Sequence, residues 1–302
     1  MKPRPRFLTV LGAQRSFAAE NPGERGKMNG KIRLICMDLD GTLLDPGGNV
    51  SDLDARAVRE AQENGIVCAI ASGRAEGNVI LMLRDAGLVC PACVLNGGLV
   101  IDEKGEILDS CPMDRALSLK ICDMLAEEKL KFVLLGDKTI CTSEKGFPHH
   151  SEEKYGERMR EMGHRFAHGL DELRSFAREG TTYKYYLCEM EQPGRILDIL
   201  KGIPGISVTR SGRQNFEIMP AQVNKVRGIA VLCRHYGIGM DRVMCIGDEM
   251  NDLEMIRAAG VGVAMGNAAA EVKDMAGYVT FDNASGGVAQ AIRSLALAPL
   301  GK

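Results

Sequence analysis

From Lys31 onward the sequence alternates short apolar runs with segments of helical period, and that rhythm breaks once, in the middle. Such alternation marks βαβ units that feed a parallel sheet. IRLICM (32–37) reads as a strand buried on both faces, since its apolar run is continuous rather than alternating. Ser51 is placed to cap a helix through Glu63, and Gly65 to stop it. IVCAIA (66–71), a helix over Ala75–Ala86 and PACVLN (91–96) repeat the unit, and Gly97 and Gly98 turn the chain into a hairpin of LVID and EIL. Through roughly 110–213 the character changes: helices are expected near 114–129, 151–162, 171–179 and 192–201, with strands at KFVLLG, TICTS, TYKYYLC and ISVTR. The βα rhythm resumes with NFEIM and runs through RVMCIG, GVGVAM and YVTF, with helices over 223–236, from Asn251, over 268–275 and over 284–296. The expected fold is α/β. A doubly wound, Rossmann-like parallel sheet spans 31–110 and 214–302, and an inserted α+β cap spans 111–213.

Charge narrows the partners. The 38 Lys and Arg are matched by 40 Asp and Glu, for a formal net charge of -2. Nucleic acids and anionic membrane surfaces call for a concentrated basic field, so neither is expected as a partner. No apolar run reaches the roughly 18–20 residues of a membrane span. The ten cysteines are scattered, several inside apolar runs, and read as buried thiols of a reduced, cytoplasmic protein. Cys90 and Cys93 form a CPAC pair, but a zinc site needs a second pair of ligands at matching spacing. Residues 1–30 read as a disordered tail before the fold, with Met28 a second candidate start.

Chemistry gathers at strand ends. IRLICM runs into Asp38-Leu39-Asp40-Gly41-Thr42-Leu43-Leu44, and RVMCIG into Gly247-Asp248-Glu249-Met250-Asn251-Asp252. Ligands in open α/β sheets collect outside the carboxyl ends of strands. Two acidic clusters there repel one another unless a cation lies between them, and hard oxygen ligands of this kind suit Mg²⁺. A third strand ends in Ala71-Ser72-Gly73-Arg74, and Lys225 stands at the start of an expected helix after FEIMP.

In this order the motifs DLDGTLL, ASGR, Lys225 and GDEMND resemble those of the haloacid dehalogenase-like phosphatases, specifically the Cof-type branch with a type II cap. The likeness covers about residues 31–296. It implies a phosphatase of small phosphorylated metabolites, such as sugar phosphates, working through an aspartyl-phosphate. Asp38 would be the nucleophile and Asp40 the general acid and base. Leu39, Ser72, Gly73, Lys225 and Asn251 would hold the phosphoryl group, and Asp38, Asp40 by its carbonyl, and Asp248 would hold Mg²⁺. Asp252, Thr42 and Arg74 would support them. One departure from the branch is Val226 after the motif lysine, where glycine is usual. The alternatives are a phosphomutase of the same fold or a non-catalytic phosphate-binding module; the presence of both Asp38 and Asp40 argues against the latter. Specificity is expected from the cap between about Cys111 and Arg213, with Lys184, Tyr186, Arg210 and Arg213 as polar candidates. No motif sets an oligomeric state.

Overall fold

The computed structural model describes residues 32–144, 150–188, 194–210 and 214–297. The expected tail over 1–30 and Arg213 lie outside the described residues. Two sheets organise the chain. In the first, β1 (Leu34–Met37), β2 (Val67–Ala71) and β3 (Ala92–Val94) are parallel, joined by α1 (Asp52–Glu63) and α2 (Glu76–Asp85). β4 (Leu99–Ile101) and β5 (Ile107–Ser110) extend this edge as an antiparallel hairpin.

The chain then leaves for a second sheet. Its elements are α3 (Arg115–Glu127), β6 (Phe132–Gly136), β7 (Thr139–Thr142), α4 (His150–Glu161), β8 (Arg165–His168), α5 (Leu170–Glu179), β9 (Thr182–Leu187), α6 (Gly194–Lys201), β10 (Ile206–Arg210) and β11 (Phe216–Pro220). It returns through α7 (Lys225–Tyr236), β12 (Val243–Gly247), α8 (Leu253–Ala258), β13 (Val261–Ala264), α9 (Ala270–Met275), β14 (Tyr278–Val279) and α10 (Gly287–Ala291).

The first sheet runs β14-β13-β12-β1-β2-β3-β4-β5. After the hairpin the chain comes back to the far side of β1, so the strand order reverses between β1 and β12. That reversal is the topological switch point at which open α/β sheets bind ligands. Both faces of the sheet are covered, which is why its strands read as unbroken apolar runs. Ile35 and Met37 pack with α1, α2 and α10, while Leu34 and Cys36 pack with α7 on the opposite face. Cys90 and Cys93 divide between these two clusters, so the CPAC pair does not converge on a common ligand. All ten cysteines are free and buried.

The second sheet, β10-β11-β9-β6-β7-β8, is antiparallel except for the β7–β8 pair. Its strands alternate. Phe132, Leu134, Tyr185, Leu187, Phe216 and Ile218 form a separate core under α3, α5 and α6. The intervening residues Val133 and Leu135 join the cluster of the first sheet instead.

The boundary expected at 213/214 is corrected here. Phe216–Pro220 was expected to open the returning βα pattern, but it pairs antiparallel with β10 and β9 and therefore belongs to the second sheet. The physical reason is its period of two: Phe216 and Ile218 face the inner core, and Glu217 faces the other way. The chain crosses between sheets near Cys111 and again near Val223; these residues pack together with Met219, and Gln222 Nε2 lies 3.2 Å from Cys111 Sγ. No helix among the described residues is long and apolar enough to cross a membrane.

Candidate active site

β1 and β12 are paired in register from Leu34 with Val243 to Met37 with Ile246, and Asp38 N donates to Ile246 O at 3.0 Å. The pairing fixes the two acidic strand ends beside each other. The turn after β1 draws them closer: Thr42 Oγ1 donates to Asp248 Oδ1 at 2.9 Å. Gly41 makes that turn at φ 78°, and a Cβ there would sit 2.2 Å from Asp248 Oδ2. Only a residue without a side chain fits.

Lys225 is the first residue of α7, where Asn224 caps the helix by accepting from Arg227 N at 2.8 Å. The Val226 departure leaves this geometry in place. Lys225 Nζ donates to Asp38 Oδ1 and to Asp252 Oδ1, both at 2.6 Å, and its side chain is 2% exposed. The second oxygen of Asp252 accepts from Asp248 N at 3.0 Å and Glu249 N at 3.1 Å. Asp252 is thus spent on holding Lys225 and the loop after β12.

One carboxylate oxygen from each of Asp38, Asp248 and Asp252 lies within 4.8 Å of the others. Three buried carboxylates face one buried ammonium, which leaves an excess of negative charge equal to that of one divalent cation. Burial pushes the Asp38 carboxyl well up, against the pull of Lys225 and with the push of Asp252. Burial likewise raises Asp248 to about 7, with Thr42 opposing and Asp252 reinforcing. The donor set, oxygens without sulfur or imidazole, fits a hard divalent metal, and these groups can hold one.

The phosphate-loop candidates lie alongside. Ser72 follows β2, is 1% exposed, and its Oγ accepts from Arg74 N at 3.2 Å, which leaves the hydroxyl proton free to be donated elsewhere. Leu39 has its side chain fully buried in the core, so only its backbone can face a ligand. Arg74 grips Asp40 through two bonds, Nε to Oδ2 at 2.8 Å and Nη2 to Oδ1 at 2.6 Å. A cavity of about 330 Å³ opens above these groups. Asp38, Asp40, Gly73, Arg74, Glu249 and Asn251 form its floor, and Leu135, Lys184, Tyr186, Arg210 and Glu217 of the second sheet form its roof.

Three of the four polar candidates expected in the cap therefore line the cavity. Glu217, Asn78 and Asn96 were not anticipated. A carboxylate inside the apolar strand FEIMP was the available signal for Glu217. Asn96 had none, because it sits in a short turn with φ 57° beneath Gly73.

The model of the haloacid dehalogenase-like hydrolases matches residues 35–292. The chain is 27% identical to 5-amino-6-(5-phospho-D-ribitylamino)uracil phosphatase YcsE of Bacillus subtilis, over 87% of this chain and 95% of that protein. It is 26% identical to phosphatase YwpJ of the same organism, over 87% and 100%. Among solved structures, a haloacid dehalogenase-like hydrolase from B. subtilis superposes with a TM-score of 0.76 at 25% identity, covering 87% of this chain and all of that one. The chain belongs to the haloacid dehalogenase-like hydrolases, in their Cof-type branch, with the inserted module as cap. It is a phosphoric monoester hydrolase.

Proposed function

We propose that this phosphatase hydrolyses small phosphorylated metabolites with Mg²⁺, through a phosphoryl group carried on Asp38. The observation behind this is the convergence of Asp38, Asp248 and Lys225 at the switch point, with the Ser72 loop beside them and a roofed cavity in front. Asp38 attacks phosphorus in line, forming an O–P bond as the ester O–P bond breaks. Lys225 steadies the attacking carboxylate, and Ser72, Gly73 and Asn251 donate to the phosphoryl oxygens.

An incoming phosphate competes with Asp40 for Arg74. Released from that grip, Asp40 can take up a proton from solvent, give it to the leaving oxygen, and then take one from the water that cleaves the acyl phosphate. Asp38, the Asp40 carbonyl and Asp248 would hold Mg²⁺, which would supply the positive charge that lets an anionic nucleophile meet an anionic ester. A cavity of about 330 Å³ suits a small metabolite, and a phosphate on a polyol arm, as in the substrate named for YcsE, belongs to this class.

The test is hydrolysis of p-nitrophenyl phosphate by the purified protein with and without Mg²⁺. Turnover is expected with the ion alone, and Asp38→Asn is expected to abolish it while the circular dichroism spectrum is unchanged. Turnover retained in that variant would remove Asp38 as nucleophile. A screen of phosphorylated metabolites at fixed Mg²⁺ then finds the substrate.

A further inference from the structure

Around Gly73 the two sheets meet through groups that the reaction above does not use. Three consecutive carbonyls of the phosphate loop are each held by a donor. Ser72 O accepts from Asn96 N at 2.9 Å, and Arg74 O from Leu95 N at 3.0 Å; both donors belong to the first sheet's own turn. The middle one, Gly73 O, accepts from Lys184 Nζ at 2.8 Å, and Lys184 lies on β9 of the cap.

Lys184 is itself aimed by Glu217 of the neighbouring strand β11. Glu217 stands opposite Tyr186, two residues along the same face from Lys184, and its Oε1 accepts from Lys184 Nζ at 2.6 Å. Its Oε2 accepts from Asn96 Nδ2 at 2.5 Å. The pair is buried, with side chains 3% and 8% exposed. The fit is tight: a Cβ on Gly73 would lie 2.9 Å from Asn96 Oδ1 and 3.4 Å from Lys184 Nζ.

A buried ion pair is a poor way to gain stability, since desolvation offsets most of the attraction. This one spans the seam between cap and core and ends on the peptide that orients Ser72 and Arg74. We infer that Lys184 and Glu217 are positioning residues through which the seated cap completes the phosphate loop. Lys184 fixes the Gly73 peptide, and with it the backbone from which Ser72 and Arg74 reach the site; Glu217 fixes Lys184 and ties it to Asn96. The loop then has its working geometry only when the cap is seated over the core.

This inference rests on the proposed phosphatase reaction, and wild-type turnover with Mg²⁺ tests that reaction separately. The test of the pair compares Lys184→Met, Glu217→Gln and the double variant by kcat, KM and melting temperature. Lys184→Met strands a buried carboxylate and is expected to lower both melting temperature and kcat, the latter by about 10- to 100-fold for a misplaced loop. Glu217→Gln keeps a donor for Gly73 O and is expected to lose less kcat. The double variant carries no buried charge at the seam, so its melting temperature is expected to return towards wild type while kcat stays as low as in Lys184→Met.

Recovery of kcat together with melting temperature would make the pair merely structural and overturn the inference. So would a Lys184→Met effect confined to KM, which would make Lys184 a substrate contact. Failure of the double variant to fold would overturn it as well, by making the pair a requirement of the fold.

Discussion

A lysine in the first turn of a helix sits at the positive end of the helix dipole, an unfavourable place for a cation. Lys225 occupies it nonetheless, fully desolvated, because Asp38 and Asp252 surround its ammonium. A residue placed against its local preference, and compensated by partners remote in sequence, marks a functional site. Without that ammonium the neighbouring carboxylates would hold their protons to higher pH. Lys225→Met is therefore expected to move the acid limb of the kcat/KM profile upward as well as to lower its plateau; an unmoved limb would disconnect Lys225 from Asp38. Gly41→Ala is expected to weaken divalent-cation affinity by displacing Asp248, which isothermal titration would read directly. Asp38, Asp248 and Ser72 were legible because chemistry at the end of an apolar strand has few structural explanations. Glu217 and Asn96 were not, because their partners are set by how two sheets register across a seam, which no local pattern encodes.

Among the elements, the first sheet could be read almost strand by strand, since burial on both faces leaves unbroken apolar runs. The second sheet blurred at its last strand. FEIMP resembles a buried strand in composition, and only the alternation of Phe216 and Ile218 against Glu217 and Met219 assigns it to the cap. That assignment carries a stability consequence. Tyr185 Oη, buried in the cap core, donates to Ser118 O at 2.9 Å and lies 2.8 Å from Ser118 Oγ. Tyr185→Phe leaves those groups short of a partner and is expected to cost on the order of 1–3 kcal/mol, read as a lower denaturant midpoint with kcat unchanged. On the other side of the seam, Asn224→Ala removes the cap of α7 and is expected to cost about 1 kcal/mol. Because Lys225 is the next residue, kcat should fall too; a loss of stability alone would show that the lysine is held by its carboxylates and not by the helix start.

For the molecule as a whole, the unbalanced carboxylates tie stability to pH. Burial raises the Asp248 carboxyl to about 7 in the folded chain, against about 4 for an unfolded aspartate. Between those values the folded state keeps a proton that the unfolded state has lost, so this group's contribution to stability declines as pH rises through the window. A divalent cation bound there would take the proton's place. The melting temperature of the metal-free protein is expected to fall from pH 5 to pH 7.5, and added Mg²⁺ to raise it more at the higher pH. An Mg²⁺ shift independent of pH would separate the ion from Asp248.

The two sheets have one further consequence, which concerns how such a chain changes over time. The roof of the cavity is one face of a sheet whose other face has its own core, drawn wholly from residues 113–218. Tyr186 and Arg210 reach the cavity from that sheet, whereas the register that sets Asp38 beside Asp248 is made by β1 and β12 of the other. Descendants of such a protein can acquire new diets while inheriting the same digestion.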